Sequence, residues 1–197
     1  MKKVVMVFMF IFISSVCVAK DESITIHGGV LHTQNSNYGD SISSVIRVET
    51  VLIKDLNIGV EYGYHGPTSH EPNYGDMSGH SVLGDLIYYP PVKIANFRTY
   101  VLGGLGWSWW NFDRSSDLEY KGIQVDMGDS LAKKVGLGGD YAINEHWSIN
   151  LEWNYFQSHV PKESYYESTG SFANVVTDEK TIGQEETNIM VGLKYRF

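Results

Sequence analysis

The stretch Met190-Val-Gly-Leu-Lys-Tyr-Arg-Phe197 decides the fold of this 197-residue chain. Val191, Leu193, Tyr195 and Phe197 fall on one face of a strand, and Lys194 and Arg196 fall on the other. A period of two marks a strand between unlike surroundings. Soluble sandwiches rarely end a strand with bare apolar residues facing out and cations facing in. A strand whose one face meets lipid and whose other face meets a polar lumen requires this pattern, with an aromatic ring at the interface.

The N-terminal segment agrees. Lys2 and Lys3 form a basic start, Val4 to Val18 carries no charge, and Cys17-Val18-Ala19 places small residues before Lys20-Asp21-Glu22. This pattern predicts a secretory signal peptide over residues 1–19, too short for a comfortable transmembrane helix, and a mature barrel over residues 20–197. A lipoprotein reading of Cys17 is disfavoured because Val16 stands where a small residue is expected. Cleavage after Ala19 leaves no cysteine and hence no disulfide framework. The formal charge of −8 becomes −10 when Lys2 and Lys3 are removed with no acid, which argues against nucleic acid as a partner.

Alternation and turn signals predict eight strands, at roughly 23–32, 41–53, 56–65, 81–90, 97–112, 130–143, 147–159 and 186–197. Short connections at Lys54-Asp55, Pro91 to Ala95 and Asn144-Glu145-His146 alternate with long polar ones. The fold class expected is an all-β, eight-stranded, antiparallel up-and-down transmembrane barrel. On the seventh strand Trp147, Ile149, Leu151, Trp153 and Tyr155 alternate with Ser148, Asn150, Glu152 and Asn154. On the third, Ile58, Val60, Tyr62 and Tyr64 alternate with Asn57, Gly59, Glu61 and Gly63. Leu83 and Ile87 blur the pattern around Asp85 on the fourth strand.

The polar faces collect five cations, Arg47, Arg98, Lys134, Lys194 and Arg196, and five anions, Glu49, Glu61, Asp85, Asp140 and Glu152. A lipid-facing Arg or Lys near the midplane costs roughly 2–4 kcal/mol, whereas the interior of an eight-stranded barrel is filled by side chains. Buried charges must pair, so an ion-paired lumen is expected, with His27 as a neutral extra. Aromatics form two girdles: Tyr62, Tyr64, Trp107, Trp109, Trp110, Trp153 and Tyr155 toward the long loops, and Tyr88, Phe97, Tyr141, Trp147, Tyr195 and Phe197 toward the short turns.

Tyr100-Val-Leu-Gly-Gly-Leu-Gly-Trp107, the segment Val135-Gly-Leu-Gly-Gly-Asp-Tyr-Ala-Ile-Asn-Glu-His-Trp-Ser-Ile-Asn-Leu-Glu-Trp153 and the terminal strand resemble the small bacterial outer-membrane β-barrel superfamily, which includes the OmpA transmembrane domain and OmpW-like porin-family proteins. The terminal strand also resembles the β-signal of those proteins through Gly192, Tyr195 and Phe197. The resemblance implies reading by the barrel-assembly machinery and a Gram-negative outer-membrane location with both termini periplasmic. It further implies contact with membrane lipid and lipopolysaccharide, and a monomer. It specifies a barrel strongly and a function hardly at all.

Outer loops are natural interaction surfaces, and Tyr165-Tyr166, Phe172 and Val175-Val176 make the fourth one more apolar than solvation requires. A structural protein presenting loops to a host or surface ligand is the leading expectation, and a narrow OmpW-like channel for small or apolar solutes is the alternative. Lipid A deacylases of similar architecture carry a His-x-Ser-Asn signature on the seventh strand, where this chain has Phe156-Gln-Ser-His159. Ser158 and His159 point to opposite faces, so no catalytic residue is assigned. His32, His65, His70, His80 and His159 gather at the long-loop rim, and His65, His70, Glu71, Asp76 and His80 raise a metal site or an acid-sensing role. Their spacing matches no dedicated motif, and no cofactor or metal is expected.

Overall fold

A computed structural model describes residues 22–33, 40–68, 76–113, 126–127, 129–163, 165–167, 174–176 and 180–197. Eight long strands form the barrel wall: β1 Glu22–Thr33, β2 Ser41–Ile53, β3 Leu56–Thr68, β4 Asp76–Tyr88, β5 Phe97–Asp113, β6 Asp129–Ala142, β7 Trp147–Glu163 and β8 Lys180–Arg196. Each pairs antiparallel with its sequence neighbours. β1 also pairs with β8, from Ser23 opposite Arg196 to Thr33 opposite Glu186, which closes the sheet. Closure matters because a sheet edge has no water to bond with in a hydrocarbon layer.

The eight strands match the expectation, but four run at least three residues further toward the long loops, β3 among them to Thr68. β4 begins at Asp76 rather than 81, β7 continues to Glu163, and β8 begins at Lys180 rather than 186. These extensions rise past the level where an apolar outer face is required, so the alternation used to find them fades. Within the fourth long connection, Tyr165–Glu167 and Asn174–Val176 form a small antiparallel ribbon of their own. Phe172, His70 and Glu71 lie outside the described residues.

The short turns have local causes. Asp55 takes the left-handed conformation (φ 64°) that a two-residue hairpin turn needs. Asn144 Oδ1 accepts hydrogen bonds from the backbone N–H of His146 (2.9 Å) and Trp147 (2.8 Å), locking the turn before β7.

The wall is inverted relative to a soluble protein. Large apolar side chains stand exposed on the outside, including Ile46, Leu86, Leu105, Val135, Leu151, Ile189 and Val191, while Arg47, Glu61, Asp85, Lys134 and Glu152 are buried inside. On β7 and β8 the apolar outer series run over Trp147–Tyr155 and Ile189–Phe197, nine residues each. At ~3.3 Å per residue and ~40° tilt these give a band roughly 23 Å tall, close to the hydrocarbon thickness that such barrels span.

Two inward positions require glycine by close approach. A Cβ on Gly138 would sit 2.5 Å from the Tyr100 phenol, and one on Gly192 would sit 2.2 Å from the His27 ring. Both pairs are direct cross-strand neighbours, so glycine makes room for a large inward side chain beside it.

Candidate functional site

The lumen is filled in layers, and all eight strands contribute to it. The central layer is built on Arg47 of β2. Its guanidinium donates to Glu61 Oε2 of β3 (2.6 Å), Asp85 Oδ2 of β4 (3.1 Å) and Glu152 Oε2 of β7 (2.8 Å). Lys134 of β6 reaches the same carboxylates, Glu61 at 2.5 Å and Asp85 at 3.4 Å. Tyr100 of β5 donates to Glu152 (2.8 Å), and His27 Nε2 of β1 donates to Asn150 Oδ1 (2.5 Å).

Toward the short turns a second layer forms on Lys194 of β8, which pairs with Glu49 and with Asp140 at 3.1 Å. Tyr89 accepts a bond from Lys194 (2.7 Å) and donates toward Glu49 and Asp140. Ser23 donates to Glu49 (2.8 Å), and Asn150 Nδ2 donates to Asp140 (2.5 Å). Ile87, Leu102 and the rings of Tyr89 and Tyr100 pack around this layer.

Toward the long loops the filling changes character. Met77, Leu83, Trp110, Ala132 and Phe156 form an apolar cluster. His65 lies against the rings of Trp110 and Phe156, with centroids 5.4 and 4.7 Å away. Its Nδ1 donates to the buried Glu186 (2.7 Å), and Ser81 Oγ lies 3.1 Å from Nε2. Trp110 Nε1 donates to Ser158 Oγ (3.1 Å), fixing Ser158 inside the barrel.

Several expectations need correction at this point. Of the five cations only Arg47, Lys134 and Lys194 are lumenal, against all five of the named anions. Arg98 sits at the short-turn mouth, over the Tyr89 ring (4.2 Å) and 3.3 Å from Asp55, and Arg196 is exposed at the same mouth. The cation shortfall is offset by neutral donors, the Tyr89 and Tyr100 phenols, Ser23 and Asn150. His65 is lumenal rather than at an outer rim, and Trp110 faces inward rather than joining a girdle. His80 faces out, accepting a bond from the Tyr62 phenol (2.8 Å) and lying beside Tyr64 and Trp109. His65 and His80 therefore cannot converge on one ion, and among the described residues no group of three or more metal-ligating side chains forms.

The layers differ in free space. The mouth beside Arg98, Arg196, Lys194, Asp55 and Tyr89 holds a cavity of about 170 Å³. The void between the central charges and the His65 layer is about 10 Å³, at the threshold for one water molecule.

Residues 23–197 match the family model described as "Outer membrane protein beta-barrel domain". The chain belongs to this family. The outer-membrane barrel has many counterparts among solved structures. OprG from Pseudomonas aeruginosa is 19% identical and superposes with a TM-score of 0.67 over 91% of this barrel and 96% of its own chain. Neisserial surface protein A is 15% identical, with a TM-score of 0.62 over 91% and 98%. Ail of Yersinia pestis, in complex with the heparin analogue sucrose octasulfate, is 16% identical, with a TM-score of 0.51 over 91% and 100%. At these identities the likeness establishes the fold alone. No curated protein matches the sequence.

In this barrel Gly192 faces the lumen beneath His27, while the Tyr195 ring packs outside on Trp147 (4.8 Å) and Phe197 (5.0 Å). Sequence reasoning put Asn150 on an inward face but missed Tyr89, Tyr100 and Glu186 as lumenal partners. Counting in steps of two from Lys194 through Gly192, Met190 and Asn188 to Glu186 would have found the last.

Proposed function

We propose that this outer-membrane barrel is a non-conducting scaffold. Its lumen is closed by the Arg47 and Lys194 ion-pair layers, and its long loops form an interaction surface outside a Gram-negative cell, with both termini periplasmic. The observation that carries this reading is the reach of the Arg47 guanidinium across the lumen to carboxylates on β3, β4 and β7 at once, which supports a plug at that level. Such a network is costly to open, because each partner removed leaves a buried charge unpaired. A loop-borne role suits a rigid wall with long connections on one end. Ail shares this architecture and has been captured with a sulfated sugar analogue, which makes loop-borne recognition a reasonable role for the scaffold. A catalytic role finds no support at the seventh strand, where Ser158 is held inside the lumen by Trp110. We assign Gly192, Tyr195 and Phe197 to recognition by the assembly machinery.

Single-channel recording in a planar bilayer tests the reading. The folded barrel is expected to be silent, and Arg47→Ala is expected to raise the frequency of small current steps. Regular steps from the unaltered protein would make the lumen a narrow channel, with the 170 Å³ mouth as its entrance.

A further inference from the structure

The short-turn mouth of the lumen is lined unevenly by charge. Its cavity of about 170 Å³ meets three cations, Arg98, Lys194 and Arg196, and one acid, Asp55. The acids Glu49 and Asp140 lie behind this lining. Lys194 pairs with both, Ser23 donates to Glu49 (2.8 Å), and Asn150 donates to Asp140 (2.5 Å). Lys194 is thus engaged within the barrel, and the two arginines are left to face the cavity.

Both arginines have donors to spare. A guanidinium offers five N–H donors, and among the described residues Arg98 uses one, from Nη2 to Asp55 at 3.3 Å. The Arg98 guanidinium carbon lies 4.2 Å from the centroid of the Tyr89 ring, which steadies it at the cavity wall. Arg196 makes no ion pair and no side-chain hydrogen bond among the described residues. Its backbone is nevertheless pinned: its N–H donates to the His146 carbonyl (2.8 Å), and its carbonyl accepts from His146 Nδ1 (3.0 Å). Val51, half exposed at the same cavity, adds an apolar surface beside these cations. An enclosed cavity of ~150 Å³ holds a benzene ring, so this one admits a group about the size of one amino-acid residue.

We propose that this mouth binds the carboxylate of a small organic acid or of a peptide end. Arg98 and Arg196 grip the carboxylate, and Val51 meets its carbon body. The planar fork of a guanidinium matches the two oxygens of a carboxylate. A phosphate dianion fits less well, because it brings a second negative charge toward Asp55 and toward the Glu49 and Asp140 carboxylates behind Lys194. The site does not rest on a closed lumen, since a solute reaches the mouth without crossing the Arg47 layer. Its chemistry is also the same whichever side of the membrane the mouth faces.

The test titrates the mature barrel in phosphatidylcholine nanodiscs at fixed ionic strength and follows its isotope-labelled arginine side chains by NMR. The probes are propionate, N-acetyl-alanyl-alanine, the C-terminal amide of that dipeptide, and inorganic phosphate. The dipeptide acid is expected to shift the Arg98 and Arg196 signals and to leave Arg47 unmoved. It is expected to bind about tenfold more tightly than its amide, the weight of one charge-assisted contact. Propionate binding as well as the dipeptide acid assigns the site to free acids, and a preference for the dipeptide assigns it to peptide ends. Arg196→Gln is expected to weaken the acid about tenfold, and Arg98→Gln together with Arg196→Gln to reduce it to the level of the amide. Both positions reach solvent, so these variants are expected to fold, which an unchanged Arg47 signal reports. Lys133→Gln, an equal loss of charge on the outer face of β6 toward the long loops, is expected to change nothing. Equal binding of acid and amide overturns the proposal, as does tighter binding of phosphate than of either carboxylate. Unchanged binding by the folded double variant overturns it too.

Discussion

Arg47 and Arg98 both fall on the polar faces of their strands, yet they have different fates. The Arg47 side chain is 3% exposed and contacts three carboxylates on three strands. The Arg98 side chain is 29% exposed, lies over one ring and reaches one carboxylate at 3.3 Å. A polar face says which way a side chain points, while its height in the barrel says whether water can reach it. In a lumen this narrow, height decides whether a charge holds the wall together or faces solvent at the mouth.

The largest effect expected from breaking this comparison is at Arg47. Arg47→Ala strands Glu61, Asp85 and Glu152 in a buried layer with only Lys134 to answer them, and should cost about 3–5 kcal/mol. Urea titration of tryptophan emission in detergent micelles would measure it, and a loss below that of an ordinary surface change would disprove the network. Lys194→Ala removes a buried pair that borders the 170 Å³ mouth, so water can enter behind it. Its cost should be intermediate, about 1–3 kcal/mol. If it equals the Arg47 loss, proximity to the mouth has no bearing on the energetics. Arg98→Ala should cost less than about 1 kcal/mol, the range of a solvent-screened pair. A larger loss would mean that its contact with Tyr89 braces the layer above. Exchanging Arg47, Glu61, Asp85, Lys134 and Glu152 together for apolar residues of similar volume sharpens the point, since replacing a whole buried network is often neutral or better. A stable barrel from that exchange would assign the charges to specificity rather than to stability.

Much of the wall was legible from alternation. Trp147 to Tyr155 and Ile58 to Tyr64 declare their faces because lipid accepts one kind of residue and the lumen another. β4 was obscure for a physical reason: Leu83, Asp85 and Ile87 all face inward, because the lumen turns apolar on either side of its charged centre. Trp110 was misplaced by height alone, although a step of two from Trp107 and Trp109 leaves it facing inward. Which charges meet was not legible. Pairing across the lumen depends on the stagger between strands, and stagger is a property of the closed barrel rather than of any one strand. The outward turn of Lys133, one residue from the inward Lys134, was overlooked because a lipid-facing lysine contradicts the rule used to read the wall.

The seam between β1 and β8 also governs time. Ser23 pairs with Arg196, and the Phe197 N–H donates to the Glu22 carbonyl at 3.0 Å. The two rims of the sheet are thus the first and last strands of the wall, and neither can complete its ladder until the whole wall has been laid down. Contacts between residues so distant in the chain are slow to form. Until they do, the growing wall has two raw edges, each able to capture a strand from another chain. For this protein the hazardous interval lasts from the appearance of β1 until β8 arrives to meet it.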